Sequence, residues 1–271
     1  MRTNQLKNFS LVAMATLTAC LVSFCIPSSS AAAQSPETLT PEQREIQKQL
    51  ERLGSSSEED RRDAVMRLGA MHLPGASRAA GRALEDGSSM VRAVAAKAVL
   101  SLPTAESVPL ILPLLQDRDE FARREALYAL GLTRSRNATA AVVDRLLNDK
   151  EDGVRSAAAV ALGDIADETS VVTLSTVLTG QAKRKGKSER NEFVLRASAT
   201  ALGRIRSPAG VPALVAALRN EKLSDDVRRE AAAALGMIGD PTAIDALTQA
   251  KNSSDPYLSR IAFESLKKIS R

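Results

Sequence analysis

The amino-acid sequence predicts an all-α protein, a right-handed α-solenoid of about seven stacked helix pairs. Three observations carry that reading: an internal repeat of about 32 residues, a helix-opening signal between successive copies of it, and a near absence of large rings. The chain has 271 residues, 44% hydrophobic and 25% charged, with 3% aromatic and no tryptophan. Repeated apolar faces that no single helix pair can bury must be buried against copies of themselves, which builds a solenoid rather than a bundle.

The first element is a targeting segment. Arg2 and Lys7 precede an apolar run from Phe9 to Ile26, and Ala31-Ala32-Ala33 follows it. This is the order of a secretory signal peptide over residues 1–33, with a linker over 34–39 and the repeat domain over 40–271. Three fates are open: cleavage after Ala33, lipidation at Cys20 in Leu17-Thr18-Ala19-Cys20, or retention as an anchor of spanning length. Each places the remainder outside the cytoplasm, in the periplasm or secreted, or tethered to a membrane and facing outward. Cleavage removes Arg2 and Lys7, lowering the net charge from +5 to +3. It also removes Cys20 and Cys25, so packing alone would stabilise the mature domain.

The repeats follow. Aligned on Leu235, the leucine column reads Leu68, Val99, Leu130, Leu162, Leu202, Leu235 and Leu266, at spacings of 31, 31, 32, 40, 33 and 31. A second column, four residues earlier, is small throughout: Ala64, Ala95, Ala126, Ala158, Ser198, Ala231 and Ala262. With Val227 and Ile238 these positions fall at i, i+4, i+8 and i+11, one face of a helix. Glycine recurs at Gly69, Gly131, Gly163, Gly203 and Gly236, where close helix approach would offset its helix-interior cost of about 1 kcal/mol. A preceding helix in each copy is expected over roughly 41–53, 75–85, 105–116, 137–148, 168–179, 208–219 and 241–251. Thr40-Pro41-Glu42-Gln43 reads as a capping box, and Ser207-Pro208 and Asp240-Pro241 as N-cap followed by proline. The single 40-residue spacing marks an insertion between the two helices of the fifth pair, the basic stretch containing Lys183, Arg184, Lys185 and Lys187.

The pattern Asp-x-Val-Arg-x-x-Ala-Ala-x-Ala-Leu-Gly-x-Ile-Gly-Asp-Pro at 225–241 resembles the short HEAT-like repeat of phycobilin-lyase-type proteins, over about 230 residues. The resemblance implies that second helices line a concave face. It also brings a rival function, an accessory or catalytic subunit of an exported lyase or oxidoreductase system. HEAT-like deoxyhypusine hydroxylases bind iron through repeated His-Glu motifs, whereas His72 is followed by Leu73 and stands alone. One histidine and two cysteines do not furnish a zinc, haem or iron–sulfur site, and no cofactor is expected.

Two arginine columns remain. Arg61, Arg92, Arg123, Arg155 and Arg228 recur just inside the second helices, with an acid three residues earlier at Glu58, Glu120, Asp152 and Asp225. They are expected to brace successive repeats from the helix start. The next column, Arg62, Arg124, Arg196, Arg229 and Arg260, is interrupted by Ala93 and Ser156. At 100° per residue it lies near 200°, away from the apolar face. On the implied concave face it would bind a protein or peptide with acidic features, since guanidinium forks suit carboxylates. The small net charge, the export signal and the shortage of rings for stacking weigh against nucleic acid. Membrane contact is expected only through the N-terminal segment, if retained or lipidated. The expected function is a non-catalytic interaction scaffold.

Overall fold

The computed structural model describes residues 39–181 and 191–270. The targeting segment and Lys183, Arg184, Lys185 and Lys187 lie outside the described residues. Fourteen helices occur among the described residues, as seven antiparallel pairs. The first helices are α1 (Pro41–Arg52), α3 (Pro74–Gly81), α5 (Thr104–Ile111), α7 (Thr139–Asn148), α9 (Val171–Leu178), α11 (Val211–Arg219) and α13 (Ile244–Ala250). The second helices are α2 (Glu58–Ala70), α4 (Ser89–Ala98), α6 (Glu120–Thr133), α8 (Asp152–Ile165), α10 (Glu192–Ile205), α12 (Asp225–Ile238) and α14 (Pro256–Ile269).

Local chemistry sets the helix ends. The Thr40 capping box forms in both directions, Gln43 N–H to Thr40 Oγ1 at 3.2 Å and Thr40 N–H to Gln43 Oε1 at 2.9 Å. Second helices are opened by Ser57, Asp119, Asn191, Ser224 and Asp255, whose side chains accept free amides of the first turn. The expected first helices are present, but six of the seven contain a tighter 3-10 turn. It closes the helix at Arg82–Glu85 and Leu112–Gln116, and opens it at Arg136–Ala138, Glu168–Ser170, Pro208–Gly210 and Pro241–Ala243. In the third pair, Pro109 and Pro113 remove two amide donors, so the α-helical ladder gives way there. Ser207, expected to cap, makes no side-chain capping bond, whereas Asp240 accepts from Thr242 N–H.

The small column is wholly inaccessible from Ala64 to Ala262, and Ser198 is accommodated there because its hydroxyl donates to Val194 O at 2.8 Å. Leu68, Leu130, Leu162, Leu202 and Leu235 fill the space between the layers. The glycine column is where successive second helices touch backbone to backbone. A Cβ at Gly203 would stand 2.8 Å from Ala234 Cα, and one at Gly163 2.9 Å from Ala201 Cα. The second helices therefore pack more extensively on one another than the first helices do. Among the described residues, no helix is long and apolar enough to cross a membrane.

Candidate interaction surface

The two arginine columns have different fates. In the first, Arg61 and Arg123 do not pair with the acid three residues earlier, and Arg92 has Ser89 at that position. Each guanidinium grips an aspartate of the next repeat through Nε and Nη2: Asp86 at 2.7 and 2.9 Å, Asp117 at 2.6 and 2.7 Å, Asp149 at 2.8 and 3.0 Å. Nη1 meanwhile donates to carbonyls of the turn ahead of its own helix, such as Asp86 O and Gly87 O for Arg92. Each aspartate also accepts the amide two residues on, at Ser88, Asp119 and Glu151. The brace thus runs between successive repeats, as expected of this column, but its acids lie in the next repeat rather than one helical turn before the arginine. A partner 25 or 26 residues away offers both carboxylate oxygens, whereas a partner one helical turn away offers one. The local geometry appears only at Arg155 with Asp152 and Arg228 with Asp225, at 3.1 and 3.4 Å. Hydrogen bonds from Arg61 and Arg92 hold Asp86 and Asp117 below the usual carboxylate range, against the upward push of burial.

The second column faces outward, as its helical angle requires, with its members unequally engaged. Arg229 is bound to Asp255 at 2.8 and 2.9 Å and to Asp226 at 2.8 Å, and lies 5.1 Å from the centre of the Tyr257 ring. The Asp255 hydrogen bond raises its pKa, and Asp255 is correspondingly lowered. Here the brace has shifted by one residue. The aspartate column holds Ser253 in the last repeat, and the nearest acid, Asp255, lies within reach of Arg229 rather than Arg228. Arg62 pairs with Glu59 at 2.7 Å, and Arg196 approaches Asp226 at 3.8 Å while its buried Nε has no acceptor. Arg124 has only Glu125 at 4.0 Å and the Phe121 ring, 5.2 Å away. Arg260 is exposed.

Sequence reasoning set aside aromatic platforms, and the structure places the few rings where such a platform would be. All five aromatic residues of the described chain, Phe121, Tyr128, Phe193, Tyr257 and Phe263, lie on second helices, and none is buried. Phe193 is 67% exposed, and Met66 and Leu132 are 55% and 60% exposed on the same layer. The sequence signal was present but unread: Phe121, Phe193 and Tyr257 each stand three residues before a member of the arginine column, one helical turn away on the same outward face. The face is corrugated. Where the column has alanine, at Ala93, a recess of about 310 Å³ opens between Met66 and Phe121. Where it has serine, at Ser156, a second recess of about 420 Å³ opens between Tyr128 and Phe193. Arg124 and Phe121 form the ridge between them. Among the described residues, no group of three or more His, Cys, Asp or Glu is placed to hold a metal ion.

A family model for HEAT repeats matches residues 46–131, 108–187 and 186–267. Among solved structures, the chain is similar to YibA of Escherichia coli, at 18% identity and a TM-score of 0.58 over 84% of this chain and 82% of that one. It is similar to a structure of the complex of CpcE and CpcF of phycocyanin lyase from Nostoc sp. PCC7120, at 24% identity and a TM-score of 0.50 over 86% and 89%. An engineered protein gives 22% identity and a TM-score of 0.51 over 83% and 68%. No curated protein sequence matches significantly. At these identities the likenesses speak for an α-solenoid fold and for nothing finer.

Proposed function

Since this chain belongs to the HEAT-repeat family, we propose that it is an exported, non-catalytic scaffold that binds a protein or peptide on its second-helix face. HEAT-repeat solenoids support protein–protein interaction generally, through the long surface that stacking produces. The observation that carries the finer reading is the placement of the rings. A chain with so few aromatics gains most by burying them, yet here they stand on one layer beside exposed methionine and leucine, the composition of an interface core. Arg62, Arg124, Arg196 and Arg260 border that layer and would favour acidic features in the partner, Arg124 and Arg260 with less internal competition than Arg62 and Arg196. Lys183, Arg184, Lys185 and Lys187 would extend the same preference. Export rests on the order of basic, apolar and small residues over 1–33.

The test is co-purification of the tagged chain from the cell envelope, comparing wild type with Arg124→Ala, Tyr128→Ser and Phe193→Ser together. These side chains are partly or largely exposed, so the variant should fold, which circular dichroism would check. A partner recovered with wild type and lost with the folded variant supports the scaffold; the same partner retained by the variant rules out this face. Turnover of a substrate by the purified chain alone would overturn the non-catalytic reading. Mass spectrometry of the mature N-terminus distinguishes Gln34, a lipidated Cys20 and an intact leader, and a chain found only in the cytoplasm would refute export.

A further inference from the structure

Across pairs two to five, the second-helix face alternates. Odd-numbered pairs three and five carry an arginine with an aromatic three residues before it, Arg124 with Phe121 and Arg196 with Phe193. Even-numbered pairs two and four carry Ala93 and Ser156 at the arginine position, with Met90 and Gly153 three residues before. Arginine on one helix and alanine or serine at the same position on the next leave two recesses separated by one ridge. Each recess has the volume to take one large side chain; the first is walled mainly by apolar groups, whereas Arg124, Glu125, Asp152, Ser156 and Asn191 join Tyr128 and Phe193 around the second. Resting on the scaffold reading above, we propose that the two recesses receive two bulky side chains of one extended peptide, six residues apart, an apolar one in the first and a tyrosine, its hydroxyl meeting the polar wall, in the second, with a carboxylate between them meeting Arg124.

The spacing follows from the packing. Neighbouring second helices lie about 8 to 10 Å apart, so recesses two helices apart are separated by about 16 to 20 Å. An extended chain rises about 3.3 Å per residue and alternates its side chains, so anchors on one side at that separation fall at i and i+6. The residues at i+2 and i+4 point the same way and pass over the ridge. There Arg124 is stacked on Phe121 and has its nearest carboxylate, Glu125, only at 4.0 Å. A helix, about 10 to 12 Å across, would ride on that ridge, whereas an extended chain can follow the step. The other members of the stripe do not fit this role: Arg62 and Arg229 already hold acids of their own at 2.7 and 2.8 Å, Arg196 approaches Asp226 at 3.8 Å, and Arg260 stands on the last helix, away from both recesses.

A random dodecapeptide phage library panned on the full chain provides the probe, and enriched sequences are resynthesised with a fluorescent label for anisotropy. The expected result is a large apolar residue and a tyrosine six apart with Asp or Glu at i+2 or i+4. Binding should weaken at least tenfold in Gly153→Leu. A Cβ at Gly153 meets only Arg124 Nη1, at 4.0 Å, so leucine fills the second recess without moving the backbone. Met66→Glu at the exposed rim of the first recess should weaken binding comparably. Arg124→Ala should weaken peptides that carry the acid but not those with glutamine in its place, and Arg124→Lys should restore part of the loss. Unchanged melting curves would exclude misfolding. Peptides that respond to Gly153→Leu but lack the six-residue spacing would overturn this inference and leave the scaffold intact. Binding indifferent to all these substitutions would overturn both, and a library with no enrichment would overturn this inference.

Discussion

Replacing Asp149 by alanine removes the acid from the most buried rung between repeats. Arg123 and Asp149 are 5% and 2% exposed at their side chains and share two hydrogen bonds of 2.8 and 3.0 Å. Asp149 also accepts Glu151 N–H at 3.0 Å and lies 3.6 Å from Arg145 Nη1. The substitution leaves a guanidinium inside the protein whose Nε and Nη2 have lost their acceptor. Breaking a buried pair from one side costs about 3 to 5 kcal/mol, because the surviving charge stays desolvated without compensation. The turn bond to Glu151 adds about 1 kcal/mol or less, since water reaches part of that loop. Urea denaturation at neutral pH, followed by circular dichroism, reads the loss directly. Removing both charges, as Arg123→Met with Asp149→Leu, should recover most of it, because apolar side chains of similar volume avoid the desolvation penalty. A single variant within about 1 kcal/mol of wild type, or a double variant no better than the single, would refute the view that these rungs are buried pairs whose halves depend on each other.

The remaining predictions test other parts of the same scheme. Gly236→Ala should destabilise by roughly 1 to 2 kcal/mol, because its Cβ would stand 2.4 Å from Ser265 Oγ and 2.9 Å from Ser265 Cα, and that hydroxyl is already committed to Ala232 O. Gly87→Ala, with open space around it, should be neutral or stabilise by about 0.5 kcal/mol, and equal effects at the two sites would contradict the close-approach account. Ser253→Asp should restore the missing rung to Arg228 and raise stability by up to about 1 kcal/mol; a drop in melting temperature would show that the last pair does not share the ladder register. Acid should unfold the domain through Asp86, Asp117 and Asp255, whose folded pKa values are lowered by Arg61, Arg92 and Arg229. Such a group stabilises fully above its unfolded pKa of about 4, and loses that contribution as pH falls through its lower folded value. The urea midpoint should hold from neutral pH down to about 5 and fall steeply below 4, and a midpoint unchanged at about pH 3 would refute the assignment.

Period, pairing and core face were legible in the sequence because every repeat solves the same burial problem against a copy of itself. Ala231, Leu235 and Ile238 therefore recur as columns, and a fixed angle per residue converts a column into a direction. The same angle placed Arg62, Arg124, Arg196, Arg229 and Arg260 on the outward side of the second helices. Helix ends were legible where the cap is chemical, as at Thr40 and Asp240, and less so where the fold imposes the conformation. His72, Arg134, Ala166 and Arg206 all adopt positive φ at second-helix ends without being glycine, a strain accepted because the next first helix must turn back there.

Tertiary structure alone decided which arginine holds which acid. The carboxylates that count lie 25 or 26 residues away, and a two-position shift from the Asp149 column to Asp255 hands the brace from the Arg228 column to Arg229. It also decided that Ala93 and Ser156, which in the sequence are only gaps in a basic column, are recesses walled by rings from neighbouring helices. Periodicity specifies what repeats, so it reports the scaffold. The surface that distinguishes one repeat from the next is written in departures from the period, and their meaning depends on which side chains the stacking brings beside them.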